Sequence, residues 1–391
     1  MLKGTKTVLW GLACATALTG SAAAGGFSRG TADTDILFED GNFAMRAGAL
    51  YVAPKRGYET IGGVAATDGN YSDAYTVPSA AVKVDLFNNL SCAGTYTTPF
   101  GAGATYGAQA IAAGRTADGT GTISEGFTST EFGLTCGAHF DAGKGRFWLL
   151  GGGFLQDFDY SQTVSVAALG NTTATLSFHD KYRPGYRIGA AYEIPEIALR
   201  AQILYRSAVT QTPSSSEGSF VTQAVGSSTA SGNGTLPQSV ELKLQSGIAP
   251  GWLAFGSVKW TDWSVLQTLN YTIDGTLLAG NYQLDYFWRD GWTVTGGIGH
   301  AFNDKVSGSL SLTWDRGVST TEDAYTDAWT VASGLSVKSD RSELRFGGAI
   351  THLAGKSIAA DPIPGNPGNS FAYTVGGDWS YAVGANFRVS F

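Results

Sequence analysis

From Trp379 to Phe391 the chain alternates. Tyr381, Val383, Ala385, Phe387, Val389 and Phe391 share one face, and Ala382, Gly384, Asn386, Arg388 and Ser390 share the other. A period of two is strand geometry, so this is an apolar wall backed by a small or polar one. A soluble edge strand with a bare apolar face and an aromatic end invites aggregation. A strand that closes a barrel in lipid requires that face. The terminal strand of a soluble sandwich is the competing reading.

Composition sides with lipid. Charged residues are 15 % of the 391, against roughly 25 % in soluble domains, and the 54 Gly are about twice the usual share. A formal charge of −7 argues against a nucleic-acid partner. Lys3 and Lys6, the apolar run 8–18 and Ala22-Ala23-Ala24 read as a secretory signal, so the mature chain is expected to begin at Gly25. Leu12-Ala13-Cys14 loosely suggests a lipoprotein box, but Gly11 and the apolar run beyond Cys14 speak against it. Beyond the signal no apolar run reaches 18 residues, so no transmembrane helix is expected. The expected division is signal 1–24, N-terminal plug 25–42 and barrel 43–391.

Alternation and turn chemistry mark fourteen strands, near 43–53, 79–87, 90–100, 130–140, 146–158, 180–193, 197–208, 238–248, 252–262, 288–301, 305–315, 327–338, 341–353 and 379–391. Short turns near 88, 142, 195, 250, 303 and 339 alternate with long loops, including 101–129, 209–235 and 354–374. Even strand number and that asymmetry suit an outer-membrane barrel with both termini in the periplasm. Trp252, Trp260, Trp263, Trp288, Trp292, Trp314 and Trp329 fall near strand ends, where an interfacial belt sits. Cys92 and Cys136 lie on neighbouring strands and the same face. A cross-strand disulfide and two unpaired thiols both remain open.

A barrel of this size leaves a lumen that must be filled. Residues 25–42, acidic and without period two, are the available filling. Alternation turns Arg183, Arg187, Arg200, Arg206, Lys243, Lys259, Arg345 and Arg388 inward. Such cations can hold the carboxylate of an amphipathic ligand, or simply pair with Asp85, Glu193, Glu241 and Asp315. Gly94 and Pro99 are candidates for weakening the third strand. His139, His179, His300 and His352 are scattered and accompany no nucleophile signature. Metal, nucleotide and cofactor sites are not indicated.

Several stretches carry a resemblance. Ile36-Leu37-Phe38-Glu39-Asp40-Gly41-Asn42-Phe43-Ala44 resembles the plug motif of the FadL family of outer-membrane long-chain fatty acid transporters. Leu236-Pro237-Gln238-Ser239, Gly247-Ile248-Ala249-Pro250 and the run from Phe255 to Trp263 are similar to that family's strand pair. Gly299-His300-Ala301-Phe302-Asn303-Asp304 also fits, and Gly384, Phe387, Val389 and Phe391 resemble the C-terminal signal of bacterial outer-membrane barrels. The resemblance implies an all-β, 14-stranded antiparallel transmembrane β-barrel with a small N-terminal plug, or hatch, in its lumen. It assigns Phe38, Glu39, Asn42, Phe43 and Ala44 to that plug. It implies passive uptake of long-chain fatty acids or other hydrophobic molecules in a Gram-negative outer membrane, with sideways release at a kinked strand. Expected partners are that ligand, outer-membrane lipid and lipopolysaccharide, and the barrel-assembly machinery through Phe391; a monomer is expected. Asn42-Phe43-Ala44 stands where the family often has Asn-Pro-Ala. The loop 101–129 has few apolar anchors, which leaves fatty acid against aromatic hydrocarbon open. A structural or adhesive barrel, and a lipid hydrolase, are the competing functions.

Overall fold

Fourteen antiparallel strands close on themselves in a computed structural model that describes residues 25–391 except Val225, 276–277 and 361–370. The signal and lipoprotein-box expectations at 1–24, and part of the 354–374 loop, lie outside the described residues. The barrel strands are β1 Phe43–Lys55, β2 Tyr75–Phe87, β3 Leu90–Thr97, β4 Thr120–Ala142, β5 Gly145–Val166, β6 Thr172–Ile194 and β7 Leu199–Arg206. They continue as β8 Ser239–Ala249, β9 Trp252–Thr261, β10 Gly291–Ala301, β11 Val306–Asp315, β12 Ala328–Lys338, β13 Ser342–Leu353 and β14 Asp378–Ser390. Each pairs with its chain neighbours, and β14 returns to β1 through Ala44↔Ser390 to Lys55↔Trp379. Closure removes the free edge that an open apolar sheet would present to lipid.

The alternation settles which face is which. On β14, Tyr381, Val383, Phe387 and Phe391 are exposed while Ser380, Ala382 and Asn386 are buried. On β11, Leu310 and Leu312 point out and Ser311 and Asp315 point in. The bare apolar face is therefore the outer one, toward hydrocarbon. Cys92 and Cys136 pair across β3 and β4 among these outward residues, joined by a disulfide.

β4, β5 and β6 have 23, 22 and 23 residues, about twice the roughly 9–11 that cross a bilayer. They rise beyond it on the side of the long connections. The expected loop 101–129 is instead a short strand Gly101–Thr105, a helix Ala108–Ala117 and the start of β4. The expected Ser/Gly/Thr loop 209–235 folds into strands Val209–Gln211, Gly218–Thr222 and Gly226–Leu236, and Thr268–Ile273 pairs with Gly280–Asp285. Gly218–Thr222 and Gly226–Leu236 are rich in Ser, Thr and Gly and carry little apolar stripe for periodicity to detect, whereas Thr268–Ile273 does alternate, with Leu269, Tyr271 and Ile273 on one face.

Two tryptophans leave the belt. Trp252, Trp292 and Trp329 are exposed, as an interfacial ring requires, but Trp263 and Trp288 are 1 % and 2 % exposed. They lie in an inner aromatic cluster with Phe100, Leu236, Leu266 and Val318.

A charge on the outer face measures the lipid assignment. Leu310→Arg, near the middle of β11, is expected to cost about 2–4 kcal/mol in denaturant unfolding from vesicles. Ser311→Ala, facing inward, should change stability far less; equal effects would contradict the assigned faces.

Candidate functional site

Residues 25–42 run inside the barrel, held from all sides. The turn Thr34–Phe38 buries Ile36 and Leu37 completely, against inward Trp148, Leu150 and Leu204. Arg46 of β1 donates from Nε to Glu39 Oε1 at 2.6 Å and from Nη1 to Asp33 Oδ1 at 2.8 Å. Arg388 of β14 reaches Glu39 Oε2 at 2.5 Å, and Lys83 of β2 donates to the carbonyls of Glu39 and Gly41, each at 2.7 Å. Lys243 of β8 bonds Asp35 at 3.1 Å. Burial pushes the Asp35 carboxyl up, but Lys243 and Arg200 outweigh it and hold it below its usual range. At the far end the Gly25 backbone N–H donates to Asp315 of β11. Phe38 packs on Trp148 and under the Arg200 guanidinium, 4.5 Å from the ring centre. Phe43 departs from its expected place in the plug. It opens β1 and faces outward, 6.1 Å from the Phe391 ring, because strand alternation puts Ala44 inside instead.

Most of the inward cations already have partners. Arg187 and Arg206 share one buried carboxylate, Glu131, with Arg206 Nη2 at 2.7 Å, and both stack on the Phe154 ring at 4.6 and 4.5 Å. Arg345 pairs with Glu343 at 2.6 Å, which also takes Arg388 at 3.1 Å. Lys243 lies 3.7 Å from Glu241, Asp85 takes Lys83 at 2.8 Å, and Glu193 takes Arg146 at 3.8 Å. Arg183 departs from the lumen group: it sits at a bulge opposite Gln156, a third exposed, bound to Asp180 and the Thr212 carbonyl. Lys259 faces the lumen, and among the described residues no carboxylate comes within 4.0 Å of it. Glu131 was not singled out from the sequence. Glu125 has the same parity on β4, so alternation alone did not single out Glu131.

Two chambers follow one another along the axis. The outer one, about 90 Å³, lies among the risen strands and is lined by Phe27, Phe158, Phe178, Leu269, Tyr271 and Trp263, with no charged residue in its wall. The inner one, about 40 Å³, is polar: Glu131, Arg187, Arg206, Glu241 and Lys259 face residues 28–32 of the N-terminal segment. Aromatic rings separate them, with Trp263 5.8 Å from Phe27 and 5.6 Å from Phe100. Phe27 also meets Trp288 at 4.6 Å, whose indole N–H donates to Asp323 at 2.7 Å. Burial pushes the Asp323 carboxyl up to about 6 against the pull of its hydrogen bonds from Ser319 and Trp288. None of the rings around Phe27 was assigned to an inner cluster from the sequence; Trp263 and Trp288 were expected in the interfacial belt.

The wall itself has a window. Below it β2 and β3 pair, ending at Ser79↔Thr97; above it pairing resumes in the same register at Ser72↔Ala104, with Asp73 N–H bonded to the Gly103 carbonyl at 3.0 Å. Between these points the two edges do not bond. Each carries a proline, Pro78 and Pro99, and a proline has no N–H to donate. The N-terminal segment enters from inside and takes the ladder: Arg29 N–H bonds the Pro99 carbonyl and Gly30 N–H the Thr98 carbonyl, both at 2.9 Å. Gly30 has to be glycine, since a Cβ there would come within 2.8 Å of Val77 Cγ1. Gly94 lies below the window with its strand paired on both sides, so it interrupts nothing.

A closed lipid-facing barrel, with its N-terminal segment packed against inward side chains and an apolar chamber beside a polar one, is the architecture of an outer-membrane transporter for hydrophobic compounds. The chain belongs to the outer membrane protein transport protein family (OMPP1/FadL/TodX), whose model matches residues 13–381. No match was found among curated protein sequences. Among solved structures it is similar to a Pseudomonas aeruginosa FadL homologue, at 13 % identity and TM-score 0.70 over 100 % of this chain and 99 % of that one. The P. putida toluene transporter TodX matches at 12 % identity and TM-score 0.62, over 91 % and 92 % of the two chains. The Ralstonia pickettii toluene transporter TbuX matches at 12 % and 0.60, over 96 % and 97 %.

Two expectations follow. Glu131→Gln leaves two buried guanidinium groups without a countercharge and should destabilise the barrel by about 3–5 kcal/mol in thermal or denaturant unfolding; Glu241→Gln, whose partner Lys243 keeps its pair with Asp35, should cost much less. Because Asp323 binds its proton more tightly folded than unfolded, its contribution to stability falls as pH rises from about 4 to about 6. Asp323→Asn should remove that component, seen as a flatter melting-temperature profile between pH 4 and pH 7 on the order of those limits; parallel profiles for both proteins would contradict it.

Proposed function

We propose that the protein carries small hydrophobic molecules passively inward across the outer membrane, with the outer chamber as first binding site and the window between β2 and β3 as the way out into the bilayer. The observation that carries this reading is the outer chamber. Its wall is aromatic and aliphatic, its polar lining groups are uncharged, and its volume is about 90 Å³. An engineered apolar cavity of roughly 150 Å³ stays dry and takes up benzene. A single aromatic ring or a short alkyl segment therefore suits the chamber better than an extended long-chain tail. The toluene transporters among the similar structures support the same size class. Passage from chamber to window requires Phe27 and its neighbours to move, since their rings stand between the two.

Leu269→Arg would place a charge in this wall. In cells whose outer membrane lacks other hydrophobic transporters, initial uptake of labelled toluene should fall by about tenfold or more, as a desolvation cost of at least ~1.4 kcal/mol implies. The variant barrel should still fold, because Leu269 lies on the Thr268–Ile273 strand outside the barrel ladder. Unchanged uptake by a folded variant would overturn the assignment of the chamber.

A further inference from the structure

Arg29 spans the window. Its guanidinium carbon lies 4.0 Å from the centre of the Tyr75 ring on the β2 edge. Across the opening, a Cβ at Gly101, the first residue of the strand Gly101–Thr105, would come within 2.7 Å of the same carbon, so a side chain there would push the guanidinium aside. Arg29 is partly exposed. Among the described residues no carboxylate lies within 4.0 Å of it, and its solvent-shielded Nε makes no hydrogen bond. Arg46, Arg187, Arg206, Lys243 and Arg388 all have acidic partners. Tyr75 faces the lumen, paired with inward Val52, so Arg29 lies inside the barrel behind the opening; a shielded cation there without a countercharge is costly, and its retention marks a place where an anion arrives. The Tyr75 face supports the guanidinium from one side. That contact leaves the in-plane N–H fork free, and a fork of this shape matches a carboxylate with two parallel hydrogen bonds.

We propose that Arg29 is a carboxylate-binding residue at the window, selecting hydrophobic molecules that carry an acid group as they pass between Tyr75 and Gly101 into the bilayer. The inference rests on the transport reading above and narrows its substrate class. The apolar part occupies the uncharged outer chamber first. The acid group then meets the guanidinium carried by the segment that fills the opening, so the ligand's charge offsets the desolvation that holds Arg29 against its neighbours.

The test compares p-toluate with toluene, which differ by one carboxylate. Initial uptake of each is measured in cells that lack general porins and other hydrophobic transporters. The proteins are wild type, Arg29→Gln, Arg29→Lys and Gly101→Ala, each checked for a folded barrel. Arg29→Gln should slow p-toluate about tenfold, the scale of a charge-assisted hydrogen bond, and leave toluene within about twofold. Arg29→Lys should recover part of the p-toluate rate, and Gly101→Ala, which pushes the guanidinium aside, should reproduce the selective loss. Equal loss of both probes, as a wall-filling or lipid-anchoring role would give, overturns the inference, and so does no loss of either. If wild type carries toluene but not p-toluate, the carboxylate site falls while transport stands. If wild type carries neither, the transport reading falls and takes this inference with it.

Discussion

In hydrocarbon every main-chain N–H and C=O must find its partner within the protein. Fourteen paired strands meet that demand almost everywhere in this wall, and closure from β14 to β1 removes the last free edge. The exception is the stretch where β2 and β3 part between Ser79↔Thr97 and Ser72↔Ala104. There the N-terminal segment bonds the edge that carries Pro99, with Arg29 and Gly30 donating to the Pro99 and Thr98 carbonyls and Gly101 donating to the Phe27 carbonyl. A segment bonded to one edge by a few main-chain hydrogen bonds can leave it, which neither neighbouring strand can do without tearing its other ladder. The segment inside the lumen and the weakness in the wall are therefore one arrangement.

Ion pairs fix the other end of that segment. Glu39 gathers Arg46 and Arg388, and Asp35 takes Lys243, all where water is scarce. Breaking one such pair is far more costly than its net contribution to stability, because it leaves a buried charge. The base of the segment is thus anchored by charge. The tip, from Phe27 to Gly30, is held by aromatic edges and a few main-chain hydrogen bonds. Motion is expected first at the tip, beside both chambers.

Much of this was legible in the residues. The period of two on β11 and β14 identifies lipid-facing strands because one face must be apolar throughout. The same period turned Arg187, Arg206 and Lys243 inward. What alternation cannot show is which distant residue meets them: Glu131 is 56 and 75 residues away from Arg187 and Arg206. The strands at Gly218–Thr222 and Gly226–Leu236 escaped because Ser, Thr and Gly on both faces erase the pattern. Trp263 and Trp288 were indistinguishable from belt residues by position alone, since their burial depends on Phe27 arriving from the other end of the chain. Pro99 marked one edge of the window, but the matching Pro78 became meaningful only when the two edges were seen opposite each other.

The central claim is that residues 25–42 cork an otherwise continuous lumen. Its most direct test is ion conductance through single barrels in a planar bilayer, comparing the mature chain with one lacking those residues. The account predicts a silent mature chain and a truncated barrel that opens to ions. A mature chain that conducts as freely as the truncated one would contradict it.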